Sequence, residues 1–166
     1  MRSLFVALLV AMVVAVPTVG LAAATSSQDE AHDQRTIRVR LDVKLHVVSG
    51  GGAVVTGVTN LPSQADLIVG IADEAYVARQ IPNYYAQSRA TVRRGRFRSQ
   101  RFSYRGGPIP SDRYLVDVSM SAARYQPASV QAVIGKQGQA LTGPLVTRSS
   151  LGLGKSVSYE KWFVIR

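Results

Sequence analysis

Residues 36–47 read TIRVRLDVKLHV, and their order decides the fold class. Ile37, Val39, Leu41, Val43, Leu45 and Val47 alternate with Thr36, Arg38, Arg40, Asp42, Lys44 and His46. Strict alternation over this length has the period of a β-strand with one buried and one wet face. The run stops at SGGG, Ser49 to Gly52, a turn rich in residues that tolerate left-handed backbone.

Working toward the C-terminus, shorter strand-like runs follow at 53–59, 66–71, 90–94, 96–104, 114–120, 130–134 and 156–165. Between them stand Asn60-Leu-Pro62, Ile81-Pro-Asn83, Arg94-Gly95, Gly106-Gly-Pro108, Pro110-Ser-Asp112 and Gly143-Pro144. Many short strands with Gly, Pro and Asn punctuation predict an all-β, antiparallel, immunoglobulin-like β-sandwich of about seven to nine strands. Residues 73–90 fit either a long loop or a short helix. In Arg94-Gly95 the glycine supplies the positive φ of a tight hairpin, after which Phe97 points inward. Tyr114 opens an alternating Tyr-x-Val-x-Val run, the pattern of a tyrosine corner whose ring is buried and whose hydroxyl caps nearby backbone.

Toward the N-terminus the chain changes character. Met1-Arg2-Ser3 is followed by an unbroken apolar run from Leu4 to Val16, then Pro17, Gly20 and Ala22-Ala23-Ala24. That is the three-part plan of a cleaved secretory signal over 1–24, and the run is too short for a stable membrane anchor. Residues 25–35 form a polar leader expected to be flexible, and 36–166 form a single β-sandwich domain. The product is expected to be exported, periplasmic or extracellular, and not an integral membrane protein. There is no cysteine, hence no disulfide and no thiol to carry a lipid.

The formal charge is +10, and loss of Arg2 with the signal lowers it to +9. Seven arginines lie between Arg89 and Arg105, a stretch without an acid. Such an excess supports solubility and attraction to anionic surfaces without choosing a partner. On an edge hairpin, arginines also oppose strand-to-strand aggregation. The functional reading makes Arg93, Arg94, Arg96, Arg98, Arg101 and Arg105 an anion-binding face, with guanidinium forks beside Phe102 and Tyr104.

Three stretches carry a resemblance: GVTNLPSQADLIVGI (57–71), RRGRFRSQRF (93–102) and GGPIPSDRYLVDVSM (106–120). Together with Gln126-Pro127 and VIGKQGQALTG (133–143), they resemble an uncharacterised family of small exported bacterial β-sandwich domains, similar to immunoglobulin-like and transthyretin-like modules. The resemblance covers about Val54 to Val146 and implies a fold, with no known chemistry attached. Where family members commonly carry a Gly before the tyrosine, this chain has Asp112-Arg113.

Two glycine-rich motifs suggest phosphate binding. Gly135-Lys-Gln-Gly138 matches the backbone-clamping loop of a K-homology domain, but that loop joins two helices. Here Pro127 precedes it closely and Gly143-Pro144 follows, so Gly135 and Gly138 are assigned structural roles in a turn between a strand and an extended segment. No specific nucleic-acid binding is expected. GLGKS (152–156) lacks the glycine a P-loop needs at position 149, which is serine.

Signs of catalysis are thin. The histidines are His32 in the leader and His46 on the wet face of the first strand. No Gly-x-Ser-x-Gly elbow accompanies them, and a zinc site is not expected without cysteine. The expectation is therefore no enzyme, no cofactor and no metal. The chain reads as an exported non-catalytic module of the bacterial envelope, structural or protein-binding. The first alternative is a basic surface, Arg89 to Arg105, that binds a cell-wall polymer, lipid headgroups or nucleic acid. The second is a small hydrolase or metal protein. The partner is unassigned, with an acidic envelope component or protein as the candidate.

Overall fold

The structure, a computed structural model, describes residues 35–80, 83–149 and 152–166. The expected signal segment, the leader up to Gln34 and His32 lie outside the described residues. No described helix is long and apolar enough to cross a membrane.

The elements run β1 (Ile37–Arg38), β2 (Leu41–Val47), β3 (Ala53–Thr59), β4 (Asp66–Asp73), α1 (Glu74–Val77), β5 (Tyr85–Thr91), β6 (Arg96–Arg98) and β7 (Asp112–Met120). A 3-10 turn (Ala123–Tyr125), α2 (Ala128–Ile134), β8 (Leu141–Thr142), β9 (Val146–Arg148) and β10 (Lys155–Ile165) complete them. A five-stranded antiparallel sheet in the order β5-β4-β7-β10-β9 and a three-stranded antiparallel sheet in the order β2-β3-β6 form a sandwich-like, mainly β domain. Val43, Val55 and Phe97 of the small sheet meet Leu67, Val69, Ile71, Val116 and Val118 of the large one in the shared core. Ten described strands replace the expected seven to nine, and β1 and β8 hold two residues each.

The alternating run that announces the fold is divided between partners. β1 pairs with β8, in parallel, whereas β2 pairs with β3. At the break the Arg40 N–H donates to Asn60 Oδ1 (2.7 Å), and Asn60 Nδ2 donates to the Arg38 carbonyl (2.8 Å). A side-chain amide thus takes over the ladder where the strand changes neighbours. Burial still alternates, with Val39 and Val43 both inside.

The run at 130–134, expected as a strand, is helical. Pro127 precedes the first turn, where its missing N–H and fixed φ are tolerated. Val130 and Ile134, four residues apart, are both fully buried, while Val133 is half exposed. That is the spacing of one helix face. Gly135 ends the helix at φ 85°. Gly135 to Gly138 therefore links a helix to the short strand β8, rather than a strand to an extended segment. Residues 73–90 resolve into the four-residue α1 and then β5, so the strand expected at 90–94 begins earlier and stops at Thr91.

The strand expected over 96–104 also stops early. Thr56 pairs with Arg98, but Ala53 then bridges Phe102, so β6 carries one extra residue relative to β3. This is a β-bulge, and Ser99 fills it. Its Oγ accepts from the buried Val55 N–H (2.9 Å) and donates to the Gln100 carbonyl (2.7 Å). Tyr114 is 1% exposed, its hydroxyl donates to the Pro110 carbonyl at 2.9 Å, and Tyr84 packs edge-on against its ring. Burial, with Asp112 and Asp73 nearby, pushes that hydroxyl up to about 12.

Candidate functional site

The chain crosses from the edge of the large sheet to the edge of the small one between β5 and β6. The crossing is a two-residue hairpin. Arg93 N donates to the Arg96 carbonyl (2.8 Å) and Arg96 N to the Arg93 carbonyl (3.1 Å). Arg94 (φ 51°) and Gly95 (φ 74°) both hold left-handed backbone. Two such residues make the turn whose twist suits paired strands. The hairpin sets the exposed residues of two strand edges against each other.

Beside it lies an open groove of about 830 Å³. Arg89, Thr91 and Arg93 form one wall, while Arg96 and Arg98 of β6 form the other. The floor is the outer face of the small sheet, where register sets two rows. In the first, Asp42, Val58 and Arg96 are neighbours; in the second, Lys44, Thr56 and Arg98. His46 closes the end, its Nε2 2.9 Å from Thr56 Oγ1. Neighbours in a row stand about 4.8 Å apart and successive rows about 7 Å apart. Beneath the floor Phe97 is buried and its ring occupies the space a side chain at Gly57 would need, which holds β6 close against β3.

The electrostatics are one-sided. Four guanidinium groups and one ammonium line the groove with one carboxylate, Asp42. Among the described residues the one ion pair is Arg113 with Glu74 (3.0 Å), far along the sequence from these arginines. Arg89, Arg93, Arg96 and Arg98 thus turn unpaired guanidinium forks to solvent, each fit to grip a carboxylate, sulfate or phosphate in two-point fashion.

The arginine stretch is therefore divided. Arg93, Arg96 and Arg98 converge in the groove. Arg94 sits in the turn and does not line it. Arg101 donates to the Gly50 carbonyl (2.8 Å), and Arg105 lies over the Tyr104 ring in a second left-handed turn. Arg89, the first residue of the expected basic surface, lines the groove too, as does His46, read only as a wet-face histidine, while Lys44, Asp42 and Thr56 join the site without having been singled out. The alternation at 36–47 already put Asp42, Lys44 and His46 on a wet face, but nothing local says that β3 and then β6 lie beside that face.

The other motifs are consumed by the fold. Gly138 is buried at φ 73°, and an added Cβ would press on Ala123, Leu141 and Lys155. Its N–H donates to the Gly135 carbonyl, and Gln137 N donates to Gln139 Oε1. Lys155 of GLGKS donates to the Leu141 and Gln139 carbonyls (2.6 and 3.1 Å). Gln126 is buried, accepting from the Asp66 N–H and donating to the Asp66 carbonyl, so it extends β4 like a strand residue. On the outer face of the large sheet Asp117 folds over Gly70 beside Glu160. Desolvation, then the Glu160 charge, raises the Asp117 carboxyl. No group of three or more His, Cys, Asp or Glu able to hold a metal occurs among the described residues. No family model, curated protein or solved structure matches the chain.

Proposed function

We propose that this protein is an exported, non-catalytic β-sandwich module of the bacterial envelope that binds an acidic polymer in the groove between β5 and β6. One observation carries the reading: Arg89, Arg93, Arg96, Arg98 and Lys44 converge on one groove with Asp42 as the single acid. A purely solubilising role would spread these charges, whereas here two strand edges and a hairpin concentrate them. Five cations along an open groove suit a ligand with repeated negative charges, whose binding releases counterions. Export rests on the tripartite N-terminus, and the same resemblance to exported β-sandwich domains accords with it.

Charge reversal tests the reading. Arg96→Glu with Arg98→Glu should lower affinity for a polyanion at least tenfold, because two attractions become repulsions. Arg101→Glu with Arg105→Glu changes the net charge equally outside the groove and should cost threefold or less. Equal losses would reduce the interaction to the general field of a basic protein and overturn the reading.

A further inference from the structure

Resting on that reading, we propose that the polymer is a glycan carrying acidic groups, and that the floor of the groove reads its hydroxyls. The walls alone would serve any polyanion, so the floor must decide. Its one aromatic, Phe97, is buried at 4% exposure. Without a ring at the surface there is no platform for bases, one of the two contacts that single-strand binders combine. Asp42 points the same way. Asp42 repels phosphate, sulfate and carboxylate alike, but the backbone of a DNA strand has no hydroxyl to offer it in return, whereas a sugar hydroxyl donates to a carboxylate in a strong, charge-assisted bond.

The rest of the floor is suited to a sugar ring. Thr56 both donates and accepts, and it lies between Lys44 and Arg98 in one row. His46 is hydrogen-bonded to it. Val58, 54% exposed between Asp42 and Arg96, offers an apolar surface for the C–H face of a ring. A polar–apolar floor with cationic walls matches a chain of hydroxylated rings bearing carboxylate or sulfate. A uniform phosphate ribbon makes no use of such a floor.

Two floor variants and three probes test this: polygalacturonate for carboxylates, heparin for sulfates, and a single-stranded thymidine 20-mer for nucleic acid, all titrated at one salt concentration. Thr56→Val keeps the shape and β-preference but loses the hydroxyl. It should weaken binding of at least one glycan about fivefold, the worth of one hydrogen bond, and leave the 20-mer unchanged. Asp42→Asn removes a repulsive charge. It should tighten the 20-mer and should not tighten that glycan. Whichever of polygalacturonate or heparin responds identifies the acidic group. If both variants leave every glycan unaffected, or Asp42→Asn tightens all three probes alike, the glycan assignment falls. The acidic-polymer groove then still stands, provided reversal of Arg96 and Arg98 abolishes binding. If that reversal changes nothing, the underlying reading fails as well.

Discussion

Replacing Ser99 by alanine should cost far more than an exposed serine would, because Ser99 completes the bulge that ends β6. The extra residue leaves Val55, at 0% exposure, without a carbonyl opposite its N–H. The Ser99 hydroxyl supplies the acceptor at 2.9 Å. In the alanine variant the donor stays buried with no partner, and no cavity is made large enough to matter. The loss is then the desolvation cost of an unsatisfied backbone group, about 1–3 kcal/mol. Urea denaturation with an unchanged slope would measure it. Each kcal/mol should lower Tm by about 2–5 °C at this domain size. Ser99→Thr keeps the oxygen and should recover part of the loss. Hydrogen exchange adds a local readout, since the Val55 amide should lose protection beyond the global change. A Ser99→Ala variant within 0.5 kcal/mol of the parent, with Val55 still protected, would refute the reasoning.

Tyr114→Phe removes the bond to the Pro110 carbonyl and should cost about 1 kcal/mol at neutral pH. The folded-state value of the Tyr114 hydroxyl is raised to about 12 from an ordinary 10, so its contribution is present below pH 10 and is lost as pH rises toward 12. The phenylalanine variant should lose less stability than the parent across that window, as alkaline unfolding curves would reveal. Asp117→Asn removes a carboxylate whose folded-state value is raised by desolvation and by Glu160. The variant should be as stable as the parent or slightly more so at pH 7. Its advantage should vanish as acid protonates Asp117 in the parent, a trend that thermal melts at pH 7 and pH 3 would check.

The fold was legible where a local pattern reports burial, and less so where it must report a neighbour. The period of two at 36–47 gives the faces correctly up to Leu45, with Val39 and Val43 inside, but fails at the strand's end, where Val47 is 54% exposed. It is silent on the exchange of partners at Arg40, which depends on an Asn60 side chain twenty residues away. β3 has the bounds 53–59 expected for it, and β7 and β10 extend theirs by two residues and one. The run at 130–134 misleads because five residues with two β-branched apolar neighbours fit either period. Two buried positions four apart, after a proline, settle it only once Val133 is known to face water.

For the site, the sequence held the arginine excess but not its division. Arg93, Arg96 and Arg98 part from Arg94, Arg101 and Arg105 because a two-residue turn and a bulge rotate successive side chains to different surfaces. Lys44, remote in sequence from β6, enters the groove through sheet register, and Arg89 enters it through the crossing at the hairpin.

The most direct test of the central claim is an NMR titration of isotope-labelled protein with polygalacturonate and with heparin, following backbone amides and arginine side-chain N–H groups. The account predicts that, for the polymer that binds, shifts concentrate on Asp42 to His46, Thr56, Val58, Arg89 and the residues from Arg93 to Arg98. Arg113, Arg124 and Arg148 should stay nearly still. Shifts of equal size across all surface arginines, or centred on the outer face of the large sheet around Asp117, would contradict it.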